Sequence, residues 1–298
     1  MNILIFGASG FIGHACYTFF NEQHAVTGVD VQNIKQAEVI VDLDFSKSRE
    51  LIQSGKFDVI INCAGSSNIQ QSFTNPELDY DLNTRYVEKI LICLNDYSAH
   101  TKFINLSSAA VYGNPDSIPI SESQAIHPLS PYGKNKLSAE KIIHSFAINS
   151  GLKGLSCRIF SAYGIGLKRQ FFYDLSTKFL QQPEQITLQG TGRESRDFIY
   201  ISDIIAGLNV LIDKASFGGE VYNLANGIEV FIDEAAQLYS NLFGYTGQIN
   251  YSQKQFEGYP LNWQADISKI KALGFEPKIS LQSGLSFYSD WIKRNFNA

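Results

Sequence analysis

Residues 2 to 13 read Asn-Ile-Leu-Ile-Phe-Gly-Ala-Ser-Gly-Phe-Ile-Gly, a short apolar run that leads directly into three glycines. The run predicts a buried strand, and the apolar stretch Phe11 to Phe20 predicts a helix. Glycines let the main chain turn sharply and approach a ligand, and the N–H groups at a helix N-terminus attract phosphate. The spacing G-x-x-G-x-x-G meets the general dinucleotide fingerprint only in part. A tight strand-to-helix turn that binds no ligand would use the same residues.

An acidic residue at the end of the second predicted strand strengthens the dinucleotide hypothesis. The strand Ala25 to Val29 ends in Asp30, which lies 17 residues beyond Gly13. In dinucleotide-binding folds a carboxylate about 20 residues beyond the glycines accepts hydrogen bonds from the adenosine ribose. This carboxylate would repel a 2′-phosphate, and the neighbouring Val31, Gln32 and Asn33 offer no arginine to bind one. The sequence therefore favours NAD over NADP.

Apolar strands continue to alternate with helices up to Phe160. Further strands are predicted at 38–41, 58–62, 102–106 and 155–160, with helices at 46–54, 76–96 and 131–150. This alternation is typical of an α/β fold, a Rossmann-type doubly wound parallel sheet whose ligands bind at the carboxyl ends of the strands. At the end of the strand 58–62, Cys63, Ala64 and Gly65 are small enough to let the main chain pass close to a cofactor.

The alternation stops beyond Phe160, which predicts a second and smaller unit. Residues 1–160 together with about 199–225 are assigned to the NAD-binding domain. Residues 161–198 and 226–298 are assigned to a discontinuous C-terminal lobe that binds substrate.

Composition and charge argue for small-molecule chemistry. The chain has 298 residues and a formal net charge of −5, which disfavours nucleic-acid and anionic-membrane partners. No apolar run approaches the roughly 20 residues of a membrane span, and no basic leader precedes the first strand. The cysteines form no C-x-x-C and the histidines show no ligand spacing, so neither disulfides nor a metal site are expected. We therefore expect a cytoplasmic protein without a metal.

The stretch Ser130-Pro-Tyr-Gly-Lys-Asn-Lys136 supplies an acid/base pair. If a helix begins near Pro131, Tyr132 and Lys136 lie one turn apart on the same face. An ammonium near a phenol stabilises the phenolate and lowers its pKa, which turns tyrosine into a proton shuttle. The strand 102–106 delivers Ser108 to the same edge of the sheet, where its hydroxyl can hydrogen-bond the same substrate oxygen as Tyr132.

Taken together, these motifs resemble the extended short-chain dehydrogenase/reductase family, and in particular its nucleotide-sugar epimerases, dehydratases and ketoreductases. The resemblance covers nearly the whole chain. It rests on Gly7 to Gly13; Asp30; Asp42 and Leu43; Ala64; Ser72, Pro76, Tyr80 and Asn83; Ser107 to Gly113; Tyr132 to Lys136; Arg158 to Gly164; and Gly190 to Asp203.

The resemblance implies a role for each matching residue. Tyr132 would be the catalytic acid/base, while Lys136 would bind the nicotinamide ribose and lower the pKa of the tyrosine. Ser108 would orient the reacting oxygen, Asn83 would support the active-site helix and its proton path, and Arg196 would bind a substrate phosphate. Asp42 and Leu43 would contact adenine. The remaining cofactor contacts would come from the glycine turn and the following strand end: Gly7, Ser9, Gly10, Phe11, Ile12, Gly13, Cys63, Ala64 and Gly65.

Two positions narrow the reaction. The dehydratases of the family carry a Thr-Asp-Glu-like sequence at the positions of Ser108, Ala109 and Ala110. The decarboxylating relatives in the family also carry a glutamate at the position of Ala109. Both classes are therefore disfavoured. A 4-epimerase of a nucleotide-linked hexose is favoured, because NAD suits a cofactor that is reduced and reoxidised in one cycle. The alternatives are a 4-keto-6-deoxyhexose reductase and a dinucleotide-sensing protein without catalysis, which would not need an intact Ser108, Tyr132 and Lys136.

Departures from the family leave the sugar open. Ser161 stands where the family usually places an asparagine that touches the sugar nucleotide. The late stretch Phe256-Glu-Gly-Tyr-Pro260 lacks the arginine that binds diphosphate in the family. Arg196 remains, and Arg169 and Lys168 could hold an anion in its place. By analogy with the family, helices 77–97 and 131–149 are expected to pair across a two-fold axis in a homodimer.

Overall fold

The computed structural model describes residues 1–32, 39–254, 258 and 260–295. Its strands are β1 (Asn2–Phe6), β2 (Ala25–Asp30), β3 (Val39–Val41), β4 (Val59–Asn62), β5 (Lys102–Ser108), β6 (Gly154–Ile159), β7 (Ser161–Tyr163), β8 (Gln185–Leu188), β9 (Ser195–Arg196), β10 (Phe198–Tyr200), β11 (Gly218–Leu224), β12 (Val230–Phe231) and β13 (Gln248–Tyr251). Its α-helices are α1 (Phe11–Phe20), α2 (Ser46–Gln53), α3 (Ile69–Thr74), α4 (Pro76–Tyr80), α5 (Tyr86–Tyr97), α6 (Pro131–Ser150), α7 (Gln170–Gln181), α8 (Ile201–Lys214), α9 (Ile232–Phe243), α10 (Ser268–Lys271) and α11 (Leu281–Asn295).

Seven of the described strands form one sheet in the order β11-β6-β5-β4-β1-β2-β3. Every pair in it is parallel. Parallel strands need helical crossovers that cover both faces, which explains why β4 and β6 are buried along their whole length. The predicted Rossmann-type doubly wound sheet is confirmed.

The strand order reverses between β1 and β4. From β1 the chain moves outward through β2 and β3, and it then returns to start the other half of the sheet at β4. Such a switch point opens a crevice outside the carboxyl ends of the two strands, because the connections on either side leave in opposite directions. The glycine turn after β1 and residues 63–65 after β4 border this crevice.

Local signals fix α6, the helix of the predicted acid/base pair. The Ser130 hydroxyl accepts a 3.1 Å hydrogen bond from the Gly133 main chain, and Pro131 occupies the first turn, where its missing N–H costs nothing. Gly151 ends the helix with a φ of 69°, a conformation that glycine adopts without strain. The predicted bounds, Pro131 to Ser150, are confirmed.

The predicted helix 76–96 is helical throughout but is not a single α-helix. A π-helical turn, Asp81–Arg85, separates α4 from α5. The predicted strand 38–41 is observed as β3, and its first residue, Glu38, lies outside the described residues. Most other predicted strands and helices are observed within one residue of their expected ends.

The C-terminal half adds three small two-stranded sheets and an aromatic core. The pairs are β7 with β10, β8 with β13, and β9 with β12. Aromatic side chains of α7, α9 and β10 pack around Tyr163, with ring centroids 5.4 Å apart for Tyr163 and Phe172 and also for Phe172 and Tyr239. Buried Asp197 joins distant segments by accepting hydrogen bonds from the main chain of Asn226, Gly227 and Ala265.

No helix within the described parts of the chain is both long enough and apolar enough to cross a membrane.

Candidate active site

The glycine turn is packed so closely that side chains could not replace its glycines. A Cβ at Gly7 would lie 2.6 Å from the Ala64 nitrogen, and one at Gly13 would lie 2.0 Å from the Gly7 carbonyl oxygen. Gly7 has a φ of 73°, and its carbonyl accepts a 3.0 Å hydrogen bond from Gly10. Helix α1 therefore starts directly above β1 with its free N–H groups at the crevice, as a diphosphate site requires.

Asp30 lies beside this turn at the end of β2. Its Oδ2 accepts a 2.9 Å hydrogen bond from the Ser9 nitrogen, and its Oδ1 accepts one of 2.7 Å from Val31. Each carboxylate oxygen keeps a further lone pair for a ribose hydroxyl. Ser9 also donates its hydroxyl to the carbonyl of Gln32 at 2.8 Å, which fixes the loop. Asn33, the third of the neighbouring residues that offer no arginine to a 2′-phosphate, lies outside the described residues.

Asp42 offers a buried acceptor at the predicted adenine position. Its Oδ2 accepts hydrogen bonds from the main chain and the hydroxyl of Ser48. Its Oδ1 is buried and has no hydrogen-bond partner among the described residues. An orphaned acceptor of this kind suits an exocyclic amino group such as that of adenine. Leu43 next to it is 80 % exposed, so its side chain is available to cover a flat base.

The segment after β4 connects the cofactor crevice to the acid/base pair. Gly65 has a φ of 131°, and a Cβ on it would lie 2.6 Å from Asn83 Oδ1 and 3.5 Å from Lys136 Nζ. Cys63 lies under the turn against Cys16, and its proximity together with burial raises the pKa of the Cys16 thiol. The main chain at residues 63–65 is therefore close to both the glycine turn and Lys136.

Ser108, Tyr132 and Lys136 come together at the carboxyl end of β5. The Ser108 hydroxyl lies close enough to the Tyr132 phenol to lower its pKa. Lys136 Nζ lies 5.9 Å from the centroid of the Tyr132 ring and donates a 2.9 Å hydrogen bond to the Leu106 carbonyl. Tyr132 and Lys136 are each only 6 % exposed. A protected hydroxyl, phenol and ammonium at one point can exchange a proton with an alcohol or ketone.

The pKa values of this pair differ from the sequence expectation. Burial raises the pKa of Tyr132, a further increase comes from the charge of Asp79, and Ser108 and Arg169 counteract both. That Lys136 lowers the pKa of the phenol stays a prediction. Burial also lowers the pKa of Lys136 to about 8, against the charges of Asp79, Cys63 and Glu140. A buried phenol and a buried ammonium both lose hydration, which favours their neutral forms.

A buried ion pair that the sequence argument did not anticipate supports α6 from below. Glu140 accepts two hydrogen bonds from Arg158, of 2.6 and 3.0 Å, and a third of 2.5 Å from Ser107. The Arg158 guanidinium also donates to the Tyr112 hydroxyl at 2.8 Å. The spacing of Tyr132, Lys136 and Glu140, four residues each, places all three on one face of the helix and could have indicated this glutamate.

Asn83 reaches the site from the π-helical turn. It is 1 % exposed, its Nδ2 donates a 3.1 Å hydrogen bond to Asp79, and its Oδ1 is buried without a partner among the described residues. π-helical turns inside α-helices frequently occur at functional sites. The structure therefore brings Asn83 next to Gly65 and Lys136, and its role in supporting the active-site helix and its proton path stays a prediction.

The predicted substrate residues lie on the C-terminal side of the crevice. Ser161 begins β7 and donates its main-chain N–H to the Asp197 carbonyl at 2.9 Å. Arg169 is exposed immediately before α7, and its charge lowers the pKa of Tyr132, so it faces the reaction centre. Arg196 lies against Trp263, 5.4 Å from guanidinium carbon to ring centroid, and donates to the carbonyls of Ser195 and Leu261. The late stretch at 256–260 falls largely outside the described residues.

Ala109 and Ala110 follow Ser108 in a buried 3-10 turn, Ala109–Val111. The Ser108 side chain accepts a 3.1 Å hydrogen bond from the Ala110 nitrogen, which holds the turn against β5. The two methyl groups supply no acid or base beside the phenol. The arrangement suits the oxidation and reduction of a carbinol carbon, and no cluster able to hold a metal occurs within the described ranges.

Comparisons with known proteins agree with this geometry. Residues 3–225 match the model of the family described as "NAD dependent epimerase/dehydratase family". The chain is 30 % identical to the uncharacterized UDP-glucose epimerase YtcB of Bacillus subtilis, with 96 % of each chain covered. It is 27 % identical to a UDP-glucuronate 4-epimerase of Thermodesulfobacterium geofontis, covering 98 % of this chain and 96 % of the relative.

A solved structure shows the same architecture. UDP-glucuronic acid 4-epimerase from Bacillus cereus, in complex with UDP-glucuronic acid and NAD, superposes with a TM-score of 0.89. The two chains are 28 % identical, and the alignment covers 99 % of each. These findings confirm the resemblance, the expected cofactor NAD and the expectation of an enzyme. The chain belongs to the NAD-dependent epimerase/dehydratase family.

Proposed function

We propose that the protein is an NAD-dependent 4-epimerase of a nucleotide-linked hexose. The observation that carries the proposal is the group of half-buried Ser108 and buried Tyr132 and Lys136 at the carboxyl end of β5, beside a glycine turn and Asp30 that fit a dinucleotide. Ala109 and Ala110 support the same reaction, because their methyl groups, next to Ser108, supply no acid or base for the elimination of water.

The residues divide the work of a reversible oxidation. Bound NAD supplies a hydride acceptor and donor. Tyr132 takes the proton from the sugar hydroxyl and returns it in the reverse step, while Ser108 holds the same oxygen as its charge changes. Lys136 lies where it can bind the nicotinamide ribose and favour the phenolate electrostatically. The burial of Tyr132 and Lys136 keeps water away from both groups.

The substrate side supports a nucleotide diphosphate sugar, and we infer a UDP-hexose. The named relatives act on UDP-glucose or UDP-glucuronate. In this chain Arg169, on the Tyr132 side, and Arg196, beside Trp263, are cations that suit a diphosphate or an acidic sugar. Segments 161–198 and 226–298, which carry both arginines and most of the aromatic core, are inferred to be the substrate lobe, and 1–160 with about 199–225 the NAD domain.

We also infer a homodimer in a reducing, cytoplasmic compartment. Ile92 and Tyr97 on α5 and Ile148 on α6 are exposed apolar side chains on the two helices expected to pair. The four cysteines are free thiols. A concentration-independent monomer mass in analytical ultracentrifugation would contradict the dimer.

The direct experiment supplies the protein with UDP-glucose, UDP-galactose, UDP-glucuronic acid and 4-keto-6-deoxy sugar nucleotides, with and without NADH, and identifies products by NMR. An epimerase forms the C4 epimer without net consumption of NADH. Stoichiometric consumption with a keto sugar would identify a reductase instead, and no reaction with any substrate would favour a sensing role. The Tyr132→Phe variant should bind NAD but lose at least about a hundredfold in turnover. Tyr245→Phe, which removes a hydroxyl in the substrate lobe, is the matched control.

A further inference from the structure

Asp79 is a buried carboxylate behind the reacting groups that the proposed mechanism does not use. It lies on α4 and is 3 % exposed. Its Oδ1 accepts a 3.1 Å hydrogen bond from Asn83 Nδ2, and its Oδ2 accepts one of 2.8 Å from Asn135 Nδ2. Burial of a charge is costly, so a fold retains one only where its hydrogen bonds compensate.

An ionised carboxylate only accepts hydrogen bonds, and this decides how both amides are oriented. Asn83 and Asn135 must each point Nδ2 at Asp79. The other end of Asn83, the acceptor Oδ1, is thereby turned to the opposite side, toward Gly65 and Lys136. A Cβ built on Gly65 would lie close to both Asn83 Oδ1 and Lys136 Nζ. By binding Nδ2 of Asn83, Asp79 therefore turns the acceptor Oδ1 of Asn83 toward Lys136.

The second hydrogen bond holds the catalytic turn of α6. Asn135 immediately precedes Lys136, and its main-chain carbonyl accepts a 2.9 Å hydrogen bond from the Thr84 hydroxyl in the π-helical turn. Asp79 and Thr84 together fasten the turn that carries Lys136 to the segment 76–85. A displacement of about 1 Å in a reacting group can cost roughly a hundredfold in rate.

We propose that Asp79 is a positioning residue, which orients the Asn83 amide toward Lys136 and fastens the Tyr132–Lys136 turn through Asn135. The proposal rests on the proposed function for its kinetic consequences. Its electrostatic consequence has a definite sign. The titratable groups that act on Lys136 are Asp79 from α4, Cys63 after β4 and Glu140 from α6, and all three raise its pKa against burial. Asp79 raises the pKa of Tyr132, and Arg169 lowers it.

The Asp79→Asn variant tests the proposal. The asparagine side chain has one acceptor oxygen and one NH2 group, so its NH2 would face one of the two Nδ2 donors and that neighbour must turn. The lost charge lowers the pKa of both Lys136 and Tyr132. We expect turnover to fall by about ten- to a hundredfold, and both limbs of the pH profile of kcat to move to lower pH. Asp213→Asn, on the exposed side of α8, is the matched control and should leave both unchanged.

A swap variant separates positioning from structural support. In Asp79→Asn/Asn83→Asp, Asn at 79 can accept from Asn135 and donate to the new carboxylate, whose second oxygen again faces Lys136. This variant should recover most of the turnover, and the basic limb of its pH profile should lie at or above that of the wild type, because a carboxylate now lies beside Lys136. Should Asp79→Asn alone not fold, the swap is compared directly with the wild type.

Two results would overturn the proposal. The first is a folded Asp79→Asn protein with wild-type turnover and an unchanged pH profile. The second is a swap that restores the thermal unfolding midpoint but not turnover, which would leave Asp79 a structural role only. The pH dependence of NAD affinity, measured by fluorescence titration, reports Lys136 without any sugar. If the wild type epimerises no sugar nucleotide, the proposed function fails while this titration still decides the role of Asp79.

Discussion

Lys136 Nζ donates a 2.9 Å hydrogen bond to the carbonyl oxygen of Leu106, so the lysine of α6 is attached to the strand that delivers Ser108. This bond crosses 30 residues of sequence and fixes the distance between the ammonium and the serine hydroxyl. Burial lowers the pKa of Lys136 to about 8, so its charge is lost as the pH rises through that value. Replacement of the Lys136 side chain should therefore reduce activity without reducing the stability of the fold.

We expect Lys136→Met to lose about a hundredfold or more in turnover and to bind NAD more weakly, because the ammonium near the phenol is removed. The same change ends the cost of burying a charge, so the thermal unfolding midpoint at pH 7 should not fall. Lys134→Met, two residues earlier and exposed, is the control. A Lys136→Met protein that unfolds much earlier than the control would show that the lysine is mainly structural.

Ser108→Ala should change the pH dependence of catalysis in a predictable direction. The Ser108 hydroxyl lowers the pKa of Tyr132, so its removal raises the pKa and leaves less phenolate at a given pH. The acidic limb of the kcat profile should move to higher pH, and turnover at neutral pH should fall. Steady-state rates measured from neutral pH to beyond about pH 10, the ordinary pKa of tyrosine, test this expectation. A limb that stays in place would mean that Tyr132 does not act as the base.

Asp30→Ala should weaken NAD binding and reduce the preference for NAD over NADP. Hydrogen bonds to a charged group contribute about 1.5–3 kcal/mol, which corresponds to roughly a tenfold or greater rise in the Kd for NAD. The repulsion of a 2′-phosphate disappears with the carboxylate, so the Kd for NADP should fall or stay constant. Calorimetric titration with both dinucleotides gives the ratio. Equal losses of affinity for NAD and for NADP would show that Asp30 does not contact the ribose.

A pair of glycine variants tests the close approach of the turn to β4. Gly7 and Gly151 both have positive φ values, 73° and 69°, so Ala causes similar backbone strain at either position. At Gly151 a Cβ meets nothing within 4 Å, whereas at Gly7 it meets the main chain of Ala64 at 2.6 Å. We expect Gly151→Ala to cost about 1 kcal/mol of unfolding free energy. Gly7→Ala should cost clearly more unfolding free energy and should also weaken NAD binding. Equal losses of unfolding free energy in the two variants would contradict the close contact between Gly7 and Ala64.

Local features of the sequence were sufficient for much of the fold. The bounds of α6 follow from Ser130, Pro131 and Gly151, whose effects on a helix end are independent of the rest of the chain. The strand, turn and helix at residues 2–20 follow in the same way. The π-helical turn at Asp81–Arg85 was not predicted, because its residues favour a helix of any kind and the extra residue becomes evident only in three dimensions.

By itself, the sequence determined the doubly wound sheet, the glycine turn with Asp30, and the pairing of Tyr132 with Lys136, because each depends on spacing within one or two elements. Only the tertiary structure decided which charges surround that pair. Asp79 reaches Asn135 across 56 residues and Glu140 reaches Arg158 across 18, and these contacts are set by how α4, α6 and β6 pack. The direction of the Tyr132 pKa was likewise decided by packing, since loss of hydration outweighs the nearby hydroxyl and cation.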